Sequence, residues 1–320
     1  MTEKQRFIKA LKREKLTGPV PHFELVFYLT MEVLGKVHPS HRQIEHIWDQ
    51  MSVKEKEAQL QDEAVCYTAI AEKYGHSAIF VHPSVPKDIG ATKRLFEIIR
   101  EQSGDEYFIL MHGDTTFSMP NGDDMLEFSA QIYDERDALH EIARQRMEER
   151  LEFASGFAGT NLIDGFAMCA DYCFNTNPFF TPDVFADLIA PYLKQTIDGY
   201  RSMGYYSVKH TDGNIMPILD QIADCGPDAL HSIDPQAGVD LKTVKRLYGG
   251  RMCMIGNVNC GLLQTGTDAE VRADVLRSLN DGMPGYGYIF STSNCIYTGL
   301  PLKRYEMMHA LWREFGVYGE

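Results

Sequence analysis

From residue 75 onward, the apolar positions of the chain follow two alternating spacings. Short runs rich in β-branched and aromatic side chains occupy 78–82 (AIFVH), 107–112 (YFILMH), 162–169 (LIDGFAMC), 205–210 (YYSVKH), 229–233 (ALHSI), 252–258 (MCMIGNV) and 286–292 (YGYIFST). An earlier run, 22–28 (HFELVFY), has the same character. Such runs predict buried strands. Between them lie the helical patterns 88–103, 134–156, 181–203, 215–224, 240–248, 268–281 and 301–315. Good caps open several, among them Thr181-Pro182-Asp183 and Thr267-Asp268-Ala269-Glu270. Eight strands that alternate with helices predict an α/β fold of the (β/α)8 TIM barrel type, with a doubly wound sheet as the competing arrangement.

The chain has no low-complexity tract, no linker rich in Pro, Gly and Ser, and no repeat beyond the βα unit. Residues 1–320 are therefore expected to form a single domain. An amino-terminal helical extension precedes the barrel, and a βα insertion over about 40–75 should lie across its mouth. The irregular stretch GDTTFSMPNGDD at 113–124 is a second candidate cover. The opening segment MTEKQRFIKALKREKLTG is charged, and no window approaches the ~18 apolar residues of a membrane span. The expected location is cytoplasmic, away from the membrane. Seven scattered cysteines, an odd number, read as reduced thiols rather than a disulfide framework. The balance of 31 Lys and Arg against 45 Asp and Glu, a formal net charge of −14, excludes nucleic acid as an expected partner.

Chemistry-bearing residues collect where the predicted strands stop. In KHTDG, residues 209–213, His210 and Asp212 stand two apart, so in strand geometry both project to the same side, into the barrel mouth. The alternative is an aspartate that caps the following helix beside its histidine. The third run ends in a second His-x-Asp, His112 and Asp114, and the second run ends at His82. The fourth carries Asp164 and leads to Asp171, the seventh leads into GNVNC with Asn257, and the eighth into STSNC with Ser293 and Cys295. Glu24 lies within the first. A polar, histidine-rich pocket at the carboxyl ends of the strands follows. His210, Asp212 and Cys295 form an N/O/S set suited to zinc, although the spacing alone is not specific. No GxGxxG after a strand, no GxxxxGK[ST] and no GxSxG elbow occurs, so nucleotide cofactors and α/β-hydrolase chemistry have no support.

From about residue 205 the chain resembles the uroporphyrinogen decarboxylase superfamily. The stretches that carry the resemblance are VKHTDGNIMPILDQIADCGPDALHSIDPQAGVDLKTVKRLYGGRMCMIGNVN, LLQTGTDAEV and GYIFSTSNCI, with a looser likeness in GFAMCADYCFNTNPFFTPDVFADLIAPYLK. The resemblance implies a (β/α)8 barrel and one of two activities: decarboxylation of a porphyrinogen, or methyl transfer involving a corrinoid protein. The decarboxylases carry an arginine-rich amino-terminal signature where this chain reads HFELVFYLTMEVLG, and Arg42 is the nearest early arginine. The coenzyme M methyltransferases carry His-x-Cys and a distant Cys on zinc. The matching positions here are His210, Asp212 and Cys295, so a carboxylate replaces one thiolate and favours polarising an oxygen over holding a sulfur.

What the resemblance then implies is a methyltransferase of the O-demethylase type that moves a methyl group from a methyl ether, expected to be an aryl ether, to a Co(I) corrinoid. Zinc is expected on His210, Asp212 and Cys295. Glu24, His112, Asp164 and Asp171 are the expected catalytic groups, and Asn257 and Ser293 the cofactor-binding ones. The expected partners are a small-molecule methyl donor, a separate corrinoid-binding protein and a second copy in a homodimer. A decarboxylase acting without cofactor and a non-catalytic binding protein are the alternatives.

Overall fold

The computed structural model describes residues 1–319. Its main sheet is parallel and follows chain order without a crossover: β2 (Ala78–Val81), β3 (Phe108–His112), β4 (Gly165–Met168), β5 (Tyr206–Thr211), β6 (Ala229–Ser232), β7 (Cys253–Ile255) and β8 (Tyr288–Ile289). These strands curl into a TIM barrel. β1 (Gly18–Pro19) lies outside it, antiparallel to β9 (Val317–Tyr318), and ties the two ends of the chain together.

The eighth stave is the stretch 22–27, which the sequence predicts as a regular strand. It makes single parallel bridges instead, His22 to Phe290 and Phe27 to Ile296, and on its other edge His22 O accepts from Ser77 N at 2.6 Å. The ladder is interrupted because the Glu24 side chain takes the Thr292 backbone N–H at 3.2 Å, a donor that a strand carbonyl would otherwise accept.

Strand parity sorts the barrel wall. Phe23, Leu25, Ala78, Phe80, Phe108, Leu110, Ala167, Val208, Ala229, Cys253, Ile255 and Ile289 share one apolar core cluster inside the barrel. Their alternating neighbours, such as Ile79, Ile109, Phe166, Leu230 and Met254, pack outward against the helices. The helix Glu3–Leu11, opened by a capping box of Thr2 and Gln5, places Phe7, Ala10 and Leu11 in the inner cluster. The Phe7 ring sits 4.7 Å from Phe108 and 5.8 Å from Phe23. The amino-terminal extension is thus a plug against the apolar floor, and the opposite end is free to be a mouth.

The expected insertion at 40–75 divides into two parts. Short 3-10 turns at Pro39–His41 and Trp48–Gln50 lie near the mouth, whereas Val53–Tyr74 is the ordinary outer helix of the first βα unit, packed on β2 and on the helix Ile89–Ser103. The segment 113–124 is irregular as expected and leads into a short helix, Met125–Asp134, followed by Arg136–Ser155. Among the described residues, no helix is long and apolar enough to cross a membrane.

Candidate functional site

Two residues beyond the last inward apolar layer, the parity that buries Phe80, Leu110, Val208 and Ala229 points His82, His112, His210 and His231 the same way. The top layer of the barrel interior is therefore polar because apolar alternation continues with different residues, not because the strands end in loops.

Asp171, His210 and Asp212 converge there, with one ligand-type atom from each lying within 4.8 Å of the others, and it is the one such grouping of three among the described residues. His210 Nε2 is 3.9 Å from Asp171 Oδ1 and 3.8 Å from Asp212 Oδ1. The turn after Asp212 fixes its direction. Gly213 has φ +83°, and a Cβ there would lie 2.5 Å from the Cys173 carbonyl oxygen, so glycine is required. Asp212 caps no helix. Its Oδ1 accepts from Ser232 Oγ at 2.6 Å, its Oδ2 accepts from Asn294 Nδ2, and its backbone N–H donates to Asp171 Oδ1 at 2.9 Å. Burial, with the carboxylates of Asp171 and Asp234 nearby, pushes its pKa up to about 7 despite the Ser232 hydrogen bond.

The histidines assign their own protons. His231 Nε2 is 3.2 Å from the Thr292 carbonyl oxygen, which can only accept, so His231 is protonated at Nε2 and offers Nδ1 as an acceptor. His210 Nδ1, 2.7 Å from His231 Nδ1, is then the donor. The lone pair of His210 is left on Nε2, facing two carboxylates. Burial lowers the His210 pKa to about 4 and holds His231 well below the ordinary imidazole value, so neither ring relieves this repulsion with a proton at neutral pH. A proton on Asp212, whose pKa is raised to about 7, or a cation between the three donors relieves it. The donor types and the oriented imidazole suit a zinc ion; the edges of 3.8 and 3.9 Å are a few tenths of an ångström longer than the ~3.3–3.6 Å of a tetrahedral site with metal–donor distances of ~2.0–2.2 Å.

The surrounding shell is also in place. Lys209, fully buried, donates from Nζ to Asp114 Oδ2 and to the Ala170 carbonyl oxygen, both at 2.8 Å, which fastens the segment before Asp171 to the strand that carries His210. Thr292 donates to Glu24 Oε2 at 2.6 Å, and the same hydroxyl is 2.7 Å from the Asn294 carbonyl oxygen. Glu24 is thus linked to Asp212 only through Thr292 and Asn294. Its own parity, opposite to Phe23 and Leu25, turns it outward into the wall, where it meets His22 Nε2 at 3.1 Å, and not into the mouth.

Other placements differ from the sequence expectations. Asp164 precedes β4, which starts at Gly165 and not at 162, and so lies at the plugged end of the barrel. It pairs there with Lys4 at 2.6 Å and Arg100 at 2.7 Å and accepts from Ile109 N. Cys295 falls outside the grouping, whose third donor is Asp171. Burial, then the neighbouring Cys260, pushes the Cys295 thiol up to about 12. Asn257 donates to the Ile233 carbonyl oxygen at 2.7 Å and accepts from Arg277 at 3.0 Å, and Ser293 is buried against Cys260 Sγ, so both are engaged within the protein. His112 stands on the rim with an open edge, its ring centroid 4.6 Å from that of His82. The packing around it and then the Arg150 guanidinium lower its pKa. Arg42 is held by Asp62 at 2.7 Å and the Val37 carbonyl oxygen.

Sequence reasoning missed His231, Ser232 and Asn294. His231 lies opposite His210 in the β5–β6 register, a pairing that no local pattern announces. It also missed Arg146 and Arg150, which line a cleft of about 620 Å³ on the far side of His112.

A barrel plugged at one end, with a His–carboxylate centre at the carboxyl ends of its strands, has the layout of barrel proteins that build their active sites from strand-end loops. The chain belongs to the uroporphyrinogen decarboxylase (URO-D) family, whose sequence model matches residues 115–315. Among solved structures, its fold is similar to that of a methyltransferase from Methanosarcina mazei at TM-score 0.74 and 20% identity, over 98% of this chain and 99% of that one. An alpha-amylase from Geobacillus thermoleovorans aligns at TM-score 0.47 and 7% identity, over 80% of this chain and 72% of that one. No curated protein sequence matches the chain.

Proposed function

We propose that the protein is a methyltransferase that takes a methyl group from a methyl ether, an aryl ether in particular, and delivers it to the Co(I) centre of a separate corrinoid protein. Asp171, His210 and Asp212 hold zinc in this reading, and residues 1–320 act as one domain. The observation that carries it is the lone pair of His210 Nε2, set by His231 and facing two carboxylates. Membership of the URO-D family and the likeness in fold to a methyltransferase support it.

A zinc ion bound there supplies Lewis acidity to the oxygen from which the methyl group departs. The chain's residues hold and shield that position. His231, through Nδ1, keeps His210 in the metal-binding tautomer. Ser232 and Asn294 orient Asp212, and the Asp212 backbone N–H orients Asp171. His82 and His112 stand at the rim, where a ring can lie against their imidazoles. In the transfer, the carbon–oxygen bond breaks with its electron pair remaining on oxygen, and cobalt provides the pair for the new cobalt–carbon bond. The leaving oxygen then takes a proton from water. Two carboxylates in place of thiolates favour this oxygen-directed chemistry over activation of a thiol.

The test is elemental analysis followed by incubation with reduced corrinoid and a panel of methoxylated aromatics. The expected outcome is about one zinc per chain and methyl-cobalt absorbance that depends on the ether. Release of carbon dioxide from a carboxylated substrate, with no methyl-cobalt from any donor, would overturn the reading in favour of a decarboxylase.

A further inference from the structure

The cleft beyond His112 is lined by Met111, Asp114, Thr116, Arg146, Arg150 and Phe153, among others, and has a volume of about 620 Å³, room for a substituted aromatic ring. Its wall is joined to the metal-ligating residues through Asp114. That side chain accepts from Lys209 Nζ, one residue before His210, and from the backbone N–H of Ala170, one residue before Asp171. The cleft and the His–carboxylate centre therefore share a wall, with His112 on the rim between them.

The charge of this cleft is opposite to that of the molecule. The chain carries a formal net charge of −14. In the cleft, Asp114 is neutralised by Lys209, leaving the Arg146 and Arg150 guanidinium groups and the Glu149 carboxylate. Among the described residues, no carboxylate lies within 4.0 Å of either guanidinium, whereas Arg144 on the same helix is paired with Glu141 and Glu148. Arg146 and Arg150 are instead held over aromatic faces, Arg146 at 4.8 Å from the centroid of Phe117 and Arg150 at 5.2 Å from that of Phe153. Stacking of this kind fixes the plane of a guanidinium while leaving its N–H groups free, which suits bidentate recognition of a carboxylate.

We propose that Arg146 and Arg150 form a carboxylate subsite, which, resting on the methyl-ether reading, makes the methyl donor an aryl methyl ether that also carries a carboxylate. The ether oxygen faces the Asp171, His210 and Asp212 centre, and the carboxylate lies beyond His112 on the two arginines. Neither arginine takes part in the bond changes. Both determine which donor binds and how it is oriented.

The experiment measures binding to the full-length, zinc-loaded protein by calorimetry, without corrinoid, using 4-methoxybenzoate and its neutral isostere 4-methoxybenzamide. The parent protein should bind the acid at least about tenfold more tightly than the amide. The double variant Arg146→Gln/Arg150→Gln should lose that preference while keeping its thermal midpoint, since Arg146 is exposed, Arg150 is half-buried and neither forms a salt bridge among the described residues. Arg144→Gln should retain it, and Arg150→Lys should keep part of it. Equal affinity for acid and amide in the parent, or an undiminished preference in the double variant, would overturn the subsite. Methyl transfer from methoxybenzamide to Co(I) without any acid preference would leave the proposed activity standing and the subsite refuted. An arginine-dependent acid preference without methyl transfer from any ether would support the anion subsite and refute the methyl-ether reading.

Discussion

The mouth and the wall of the barrel each bury a set of histidines, and the sets differ in what meets their second nitrogen. In the wall, His22, His76 and His309 pack among Tyr74, Tyr305 and Trp312, with the His22 ring 4.8 Å from His76 and 4.7 Å from Trp312. There His22 Nδ1 donates to the Tyr74 carbonyl oxygen and Nε2 meets Glu24 Oε1, both at 3.1 Å, while His309 Nε2 donates to the same carbonyl at 2.8 Å. His76 Nε2 is 3.1 Å from the Tyr305 hydroxyl. A carboxylate at 3.1 Å, joined to the ring by a second proton on Nε2 or on Glu24, leaves no space for an ion. In the mouth, the carboxylates stand 3.8 and 3.9 Å from His210 Nε2, too far to close the bond and near enough to share a cation. The same residue types thus build a packed joint in one place and a group of donors able to share a cation in the other, and the difference is less than one ångström of approach.

The comparison breaks most sharply at His210. His210→Ala should lower zinc affinity at least about 100-fold and abolish methyl transfer while the protein stays folded; stoichiometric zinc in that variant, by elemental analysis, would refute the centre. His22→Ala should do the reverse. It leaves the buried Glu24 carboxylate without its imidazole and should cost about 3 kcal/mol in urea unfolding, with zinc content unchanged.

His231→Phe probes how the mouth histidine is oriented. Losing the acceptor for His210 Nδ1 should weaken zinc by about 10- to 100-fold without removing a ligand. Calorimetric zinc titration gives the value, and an unchanged affinity would show that His210 needs no orienting partner.

Acid should act on both sets, because burial depresses His210 and His231 in the mouth as it does the wall histidines. Burial lowers the pKa of His309 to about 4 and holds His76 well below the ordinary value, so these rings stay neutral in the folded protein. The unfolded chain takes up their protons below about pH 6.5, and stability should fall as pH drops from there toward about 4, by about 1.4 kcal/mol per pH unit for each such histidine. Urea midpoints at pH 7 and pH 5 measure this, and a constant midpoint would contradict neutral burial. The smallest effect is expected at Cys295. Cys295→Ser should leave zinc stoichiometry within error, because Asp171 and not the thiol completes the group of donors.

The sequence by itself determined the barrel and the pair at its mouth. Apolar runs alternating with helical patterns, several of them well capped, suffice to predict a βα repeat and a barrel ahead of a doubly wound sheet, because alternation and capping are local physics carried by neighbouring residues. KHTDG was legible for the same reason: a strand-end His two residues from an Asp, before a glycine forced into positive φ, needs no distant partner to be placed. Where a strand begins was not legible. A shift of three residues in the start of β4 moved Asp164 to the other end of the barrel, since a strand's apolar content is nearly flat at its ends. Only the tertiary structure decided which strands stand side by side in register. That register set His231 against His210, brought Asn294 across to Asp212, put Asp171 rather than Cys295 in the group of donors and gave Glu24 its partner Thr292. Each of these depends on contacts between segments separated by 21 to 268 positions in the chain, and no local pattern encodes them.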